Sequence, residues 1–316
     1  MWRRQAIDEV VADPNTTEEV RALLARVPDV RTFAEEIGLE VGGQYTSYVE
    51  WPEDRIVTTL VRTEAGSLEA VPWRYPFLGA LPYKGFFEVD RAEAEAEALR
   101  AEDYQVCVSG VAAYSTLGWI DDPVTGPMLA RGPGSLVETL LHELVHATAF
   151  VPGEADFNES VAQFIGQQAA IRFFERHPPG PNTPDEWPDA ARVRAAIAER
   201  RAIAEATLAF RDALIELDGH PDRATLRGAA EARARDALRA LPLEVYSPET
   251  VAERARLSDP CLALRGTYVR DGPRHARVLE ALDGDLDAMI ARLRLWAEEE
   301  RDVESFFDVS GIVAAD

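Results

Sequence analysis

At 316 residues, 47% hydrophobic and 28% charged, the chain has enough apolar material for a sizeable core and the composition of an ordinary soluble globular protein, in one large domain or two small ones. Its 33 Lys and Arg against 56 Asp and Glu leave a net charge of −23, which argues against nucleic acids and anionic membrane surfaces as partners, since both repel an acidic protein. No apolar run reaches the length of a membrane span. Met1–Gln5 lead into polar sequence without the apolar stretch of a secretory signal, so the chain as given reads as cytoplasmic, or as periplasmic or envelope-bound if a signal precedes it.

Residues 1 to about 130 read as mixed α and β. Thr16–Val27 and Val30–Ile37 have the apolar spacing of short helices, and the β-branched run Arg55–Arg62 that of a strand. Pro72–Phe87, rich in aromatics, Pro and Gly, reads as loop or irregular strand. Ala92–Glu102 is an Ala/Glu helix and Tyr104–Val111 a second strand. Cys107 and Cys261 are the only cysteines. They could form one disulfide or stay as two thiols, and the apolar stretch around each favours buried thiols. With no Cys-x-x-Cys, any zinc site must use His and carboxylate ligands.

The most informative residues are His142-Glu143-Leu144-Val145-His146. On a helix of 3.6 residues per turn, two histidines four apart lie on one face and can hold the same ion, while the glutamate between them can reach a water on that ion. The preceding Gly132-Pro133-Gly134 cannot be helix interior; Ser135 fits an N-cap, and Glu138 lies at capping-box spacing. Leu136, Val137, Leu140, Leu141, Leu144 and Val145 then form a broad apolar face. Two buried, hydrogen-bonded histidines with no metal role are the plainer alternative. A zinc site of this kind needs a third protein ligand. After the break at Pro152-Gly153, a second amphipathic helix begins near Asp156–Asn158 and offers Glu154, Asp156 and Glu159. The first two suit a solvated loop or helix start. Glu159, in the first turn of an apolar helix, needs a partner and is favoured. Asn158 either orients Glu159 or a histidine, or caps its helix. Glu143 is then the catalytic general base on one bound Zn²⁺, and a peptide or protein is the substrate. Tyr114, ahead of Tyr83 and Tyr268, is the candidate donor to the oxyanion, or else an aromatic packed on its strand. The remaining histidines fit other places: His177 a helix C-terminus, His220 a turn, His275 a turn or helix start.

Farther on, Pro178–Pro188 reads as a proline-rich linker or surface loop. Asp189–Leu217, Arg223–Leu241 and Arg277–Arg301 read as long amphipathic helices.

His142–His146, followed by Phe157-Asn158-Glu159-Ser160-x-Ala162, resembles the bacterial family of predicted aminopeptidases within the gluzincin group of zincins. Trp73–Gly79, Pro82–Phe87, Ala113–Trp119 with Asp121-Asp122-Pro123, and more weakly Cys261–Tyr268, are similar to further blocks of that family, so the likeness runs from about Ile7 to Leu293. It implies an α+β, mainly α, zincin-like metallopeptidase core, with a small sheet above the metal helix and a helical C-terminal layer. It also implies a Glu third ligand and peptide-bond hydrolysis, with the aminopeptidase label resting on the Asn-Glu-x-x-Ala element. The sequence departs from the well-characterised aminopeptidases of the group in two ways. Only residues 147–158 separate His146 from Glu159, a shorter connection. There is also no Gly-Ala-Met-Glu-Asn-like segment for a substrate's free amine. The expected organisation is one structural unit of three stretches: 1–130 with the Tyr114–Trp119 block as a substrate-edge strand, the metal-binding helix pair 131–177, and the helical part 178–316. The competing readings are a zinc hydrolase of another amide or an ester, and a zinc-binding relative without catalysis; Glu143, which the latter would normally lose, is intact.

Overall fold

The computed structural model describes residues 4–75, 79–111, 121–181, 183–184, 186–264, 271–299 and 301–310. In chain order the elements begin with β1 (Arg4–Ala6), α1 (Ile7–Ala12), α2 (Glu18–Leu24), α3 (Val27–Glu36), β2 (Ser47–Val49) and β3 (Val57–Thr63). Then come β4 (Trp73–Tyr75), β5 (Gly79–Leu81), β6 (Lys84–Phe86), α4 (Val89–Ala101), β7 (Gln105–Val111), β8 (Val124–Thr125), α5 (Gly126–Leu129), α6 (Pro133–Thr148) and α7 (Ala155–Arg176). The rest is helical: α8 (Ala190–Glu216), α9 (Arg223–Arg239), α10 (Pro248–Arg254), α11 (Asp259–Ala263), α12 (Gly272–Ala281), α13 (Leu286–Glu298) and α14 (Val303–Phe306). The fold is α+β and mainly helical.

Two units divide the chain, and neither is continuous. The first comprises Met1–Asp54, Ala112–Val193 and Arg270–Asp316; the second comprises Arg55–Val111 and Arg194–Val269. These units cross the boundaries of the three stretches read from the sequence. The helical C-terminal third is itself split: α12–α14 belong to the first unit, α9–α11 to the second.

In the first unit, β1 runs antiparallel to β2 and β2 parallel to β8. The centre of the unit is helical. Leu140, Leu141 and Leu144 of α6 are fully buried, as are Ile165, Phe173 and Phe174 of α7, each such side chain contributing roughly 1.5–3 kcal/mol of burial. Phe33 of α3 meets Phe173 edge-on at 5.6 Å, and α12 and α13 pack on α7. In the proline-rich segment after α7, residues 178–181 are exposed, and Trp187 anchors its end: it is buried, donates Nε1–H to the His177 carbonyl at 2.9 Å and packs on Phe174.

Several sequence expectations change in this unit. Helix α6 starts at Pro133, not Ser135: Gly132, with φ of 81°, precedes it and no side chain caps it. Proline takes the first helical position because its missing N–H would be unpaired there anyway. Glu138 is consequently free of capping duty and accepts hydrogen bonds from Gln163 and Gln167 of α7, at 3.0 and 3.4 Å. The long helix expected over Arg277–Arg301 is two helices. Asp283 and Gly284 both take left-handed backbone, with φ of 54° and 75°, which ends α12, and Asp285 then caps α13 by accepting from the Asp287 and Ala288 amides.

In the second unit, β3 lies between β6 and β7, antiparallel to both, and Leu60, Ala92, Ala96 and Leu99 join α4 to that sheet. The Pro72–Phe87 stretch is three short strands, with β4 and β5 forming a hairpin of their own. A second cluster, which includes Phe210, Leu214, Ala230 and Leu262, ties α8, α9 and α11 together. Cys107 of β7 and Cys261 of α11 form a disulfide across 154 residues, correcting the expectation of two buried thiols. Their apolar surroundings are real, since Cys107 is buried, but burial alone does not distinguish a thiol from a bridge. No described helix is long and apolar enough to cross a membrane.

Candidate metal centre

Helices α6 and α7 build the centre. His142 and His146 are one turn apart on α6, and their rings meet at 4.8 Å, nearly perpendicular. The Nε2 atoms lie 3.1 Å apart. Glu159 of α7 faces both, with Oε2 3.6 Å from His142 Nε2 and Oε1 3.5 Å from His146 Nε2. Distances of 3.5–3.6 Å are too long for good hydrogen bonds. They are close to the roughly 3.4 Å that separates two donors each about 2.1 Å from one ion, one carboxylate oxygen facing each imidazole. His142, His146 and Glu159 thus form a donor set whose ligand atoms all lie within 4.8 Å of one another, and its two nitrogens and one carboxylate suit a borderline cation. Fit with a metal ion is good.

The electrostatics agree. Burial alone would raise the Glu159 carboxyl, but the imidazoles of His142 and His146 facing it overcome this and hold the group far below the usual carboxylate range. His142 responds in the opposite sense: burial lowers it, and Glu159, Glu143 and Glu138 together raise it. A negative pole is therefore kept against two imidazoles, the balance a cation needs. Glu143, next to His142 on α6, is different. Burial raises its carboxyl, Glu159 and Asp122 add to the rise, and His142 and His146 oppose it. A carboxylate whose proton affinity is raised is a better base.

Close packing fixes the helix pair. A Cβ on Gly166 would come within 3.1 Å of the His142 backbone N and Cα, so a side chain there would push α7 away from α6 beside His142. Asn158 is buried, and its amide is wholly taken up by Val151: Oδ1 accepts from the Val151 N–H at 2.9 Å, and Nδ2 donates to the Val151 carbonyl at 2.8 Å. It therefore clamps the connection between the helices. It neither touches Glu159 or the histidines nor caps α7, which begins at Ala155. Glu154 and Asp156, the competing acids, are exposed at the start of α7.

The other sequence candidates fall elsewhere. Tyr114, Tyr268 and the edge-strand block Tyr114–Trp119 lie outside the described residues. Tyr83 is 44% exposed and belongs to the second unit. His177 closes α7, with Nδ1 3.0 Å from the Phe173 carbonyl, and His220 accepts from the Asp222 amide in a turn. His275 is fully buried in α12, with Nε2 3.0 Å from Ser160 Oγ. Sequence reasoning passed over Tyr45 and Asp122, both buried, whose charges bear on one another and on Glu143. Only the Asp122-Pro123 block offered a signal for either.

Two histidines and a glutamate on paired helices, with a further glutamate beside them, define a candidate metal-dependent hydrolytic centre. Residues 1–305 match the family model described as Putative aminopeptidase, and the chain belongs to that family. No curated protein and no solved structure matches it.

Proposed function

We propose that the chain is a zinc metallopeptidase with a zincin-like core, in which His142, His146 and Glu159 hold one Zn²⁺ and Glu143 is the general base. The observation that supports this is the convergence of the two Nε2 atoms and the Glu159 carboxylate, one ligand atom from each within 4.8 Å of the others, with Glu143 on the same helical turn. Zinc held there would acidify a water and polarise the scissile carbonyl. Glu143 takes the proton from the attacking water on its carboxylate, and its burial-raised proton affinity suits the task. As the C–N bond breaks, Glu143 delivers that proton to the leaving nitrogen, so that the amine departs neutral. His142 and His146 would serve as neutral ligands through Nε2, and Glu159 would add its carboxylate as the third ligand. The family description makes peptides with a free amino terminus the first substrates to try.

The test is elemental analysis of the purified protein beside Glu159→Ala and Glu143→Gln, together with a peptide cleavage screen. About one zinc per chain, lost in Glu159→Ala but kept in Glu143→Gln with turnover abolished, is the expected result. Full activity in Glu143→Gln sinks the mechanism, and zinc retained in Glu159→Ala moves the third ligand elsewhere.

A further inference from the structure

The first unit contains a cavity that the proposed hydrolysis does not use. It has a volume of about 750 Å³, within the range of small-molecule sites. β1, α1, the residue that ends α2, α3 and residues 45–47 line it, and none of His142, Glu143, His146 and Glu159 does. Ile7, Val11, Ala25 and Pro28 give it an apolar wall. Arg4 and Arg31 line the same space.

Neither arginine is neutralised. In a chain with 56 acidic residues against 33 basic ones, a guanidinium readily finds a carboxylate, yet Arg4 makes no side-chain hydrogen bond or ion pair among the described residues. Arg31 donates from Nη2 to the Gly42 carbonyl at 2.8 Å, which orients its planar fork, while its Nε–H is buried with no acceptor. Asp8, the acid on the lining, accepts from the Glu9 amide at 3.0 Å and pairs with neither arginine. Tyr45 and Ser47 also line the cavity and are only 3% and 8% exposed. Neither hydroxyl has a hydrogen-bond partner among the described residues. Buried donors without acceptors are costly, and here they gather with two permanent cations on one apolar cavity. Such a lining suits an acceptor with negative charge.

We propose that this cavity binds an organic anion: an oxyanion head, carboxylate or phosphate, on an apolar body. Arg4 and Arg31 take the head, since the guanidinium fork matches either oxyanion, and the wall of Ile7, Val11, Ala25 and Pro28 takes the body. The site stands independently of the metal centre and of the peptidase reading.

The experiment is calorimetric titration of the full chain, stripped of metal so that no ion at His142, His146 and Glu159 can hold the anion. The probes are decanoate, decyl phosphate, neutral decanol and inorganic phosphate. Wild type is compared with Arg4→Gln, Arg31→Gln and Ala25→Trp, the last narrowing the cavity from an exposed wall position, and melting temperatures check that each variant folds. The expected result is one decanoate or decyl phosphate per chain, with each variant weakening that binding about tenfold or more. Decanol and inorganic phosphate, which each lack one half of the recognition, should bind at least tenfold more weakly than the better anion. No binding of either decyl anion, decanol or phosphate binding as tightly, or affinities unchanged in the variants overturns the proposal. If Arg31→Gln fails to fold, Arg4→Gln and Ala25→Trp decide by the same criteria.

Discussion

Replacing His275 with phenylalanine should remove a large part of the protein's sensitivity to mild acid. The ring is fully buried among Phe157, Phe164, Phe306 and Phe307, with centroids 4.9–6.1 Å away. Ser160 Oγ donates to the Phe157 carbonyl, so its contact with His275 Nε2 is best made by a proton on that nitrogen; Nδ1 is then a bare acceptor, buried with no partner. Burial drives the imidazole from its ordinary 6.5 down to about 4, with Asp271 pulling it up and Arg274 pushing it down. The folded protein therefore keeps His275 neutral while the unfolded chain protonates it below pH 6.5. Stability is unaffected above pH 6.5, falls by about 1.4 kcal/mol per unit below it, and levels off near pH 4, for a total of about 3 kcal/mol. At pH 5 the loss is about 2 kcal/mol by the same arithmetic. At pH 7 the Phe variant should lie within about 1 kcal/mol of wild type, since one modest hydrogen bond is lost and one orphaned acceptor disappears. Urea unfolding of the metal-free proteins at pH 7 and pH 5 measures the difference, and subtracting the variant from the wild type cancels the other acids. If the two proteins lose the same stability between these pH values, His275 is not held neutral by the fold.

The remaining predictions concern the frame around the site. Asn158→Ala leaves the N–H of buried Val151 without its partner, while the Val151 carbonyl keeps the Glu154 amide; this should cost about 1–3 kcal/mol in thermal stability and weaken zinc affinity on the order of tenfold; competition with a chelator reads the second effect, and an unchanged affinity would show that the clamp does not hold the proposed ligands. Gly166→Val should be worse than Gly166→Ala for zinc retention, because the methyl already meets the His142 backbone at 3.1 Å, and equal retention in both would mean the helices can separate freely. Cys107→Ser with Cys261→Ser opens a loop of 154 residues and should lower stability by about 3–5 kcal/mol on loop entropy. Mass spectrometry under non-reducing conditions checks the bridge itself, and two free thiols there would remove the basis of that estimate.

The parts of the site that follow a local period were legible. His142 and His146 declare themselves because the helix places i and i+4 on one face, and the apolar residues Leu140, Leu141 and Leu144 fix which face is buried. Glu159 could be favoured over Glu154 and Asp156 because a carboxylate inside an apolar helix needs a reason. Helix ends were less readable: the rules for Ser135 and for Gly132-Pro133 competed, and the proline at the first position prevailed. The break between α12 and α13 was missed because Leu282-Asp283-Gly284-Asp285 keeps the apolar spacing on either side while the backbone reverses. Tyr45, Asp122 and the Cys107–Cys261 bridge depend on contacts 77 or more residues apart, and no periodicity within a single segment carries them.

The short connection between His146 and Glu159 is the clearest case of a sequence feature whose meaning required the fold. Along α6 and α7 the contacts run in opposite directions: Glu159 meets His146 and His142, Gly166 meets His142, and Gln163 and Gln167 reach Glu138. The helices are therefore antiparallel neighbours, the arrangement that short helix–helix connections produce. Gly153, with φ of 84°, turns the chain, and α7 begins at Ala155, so Glu159 is already in the second turn when it comes level with His146. What the short connection needs is a rigid return, and the two hydrogen bonds of Asn158 to Val151 supply it. The asparagine before the proposed ligand thus acts through the connection it holds, which is why any effect on zinc affinity should be accompanied by a loss of stability in the metal-free protein.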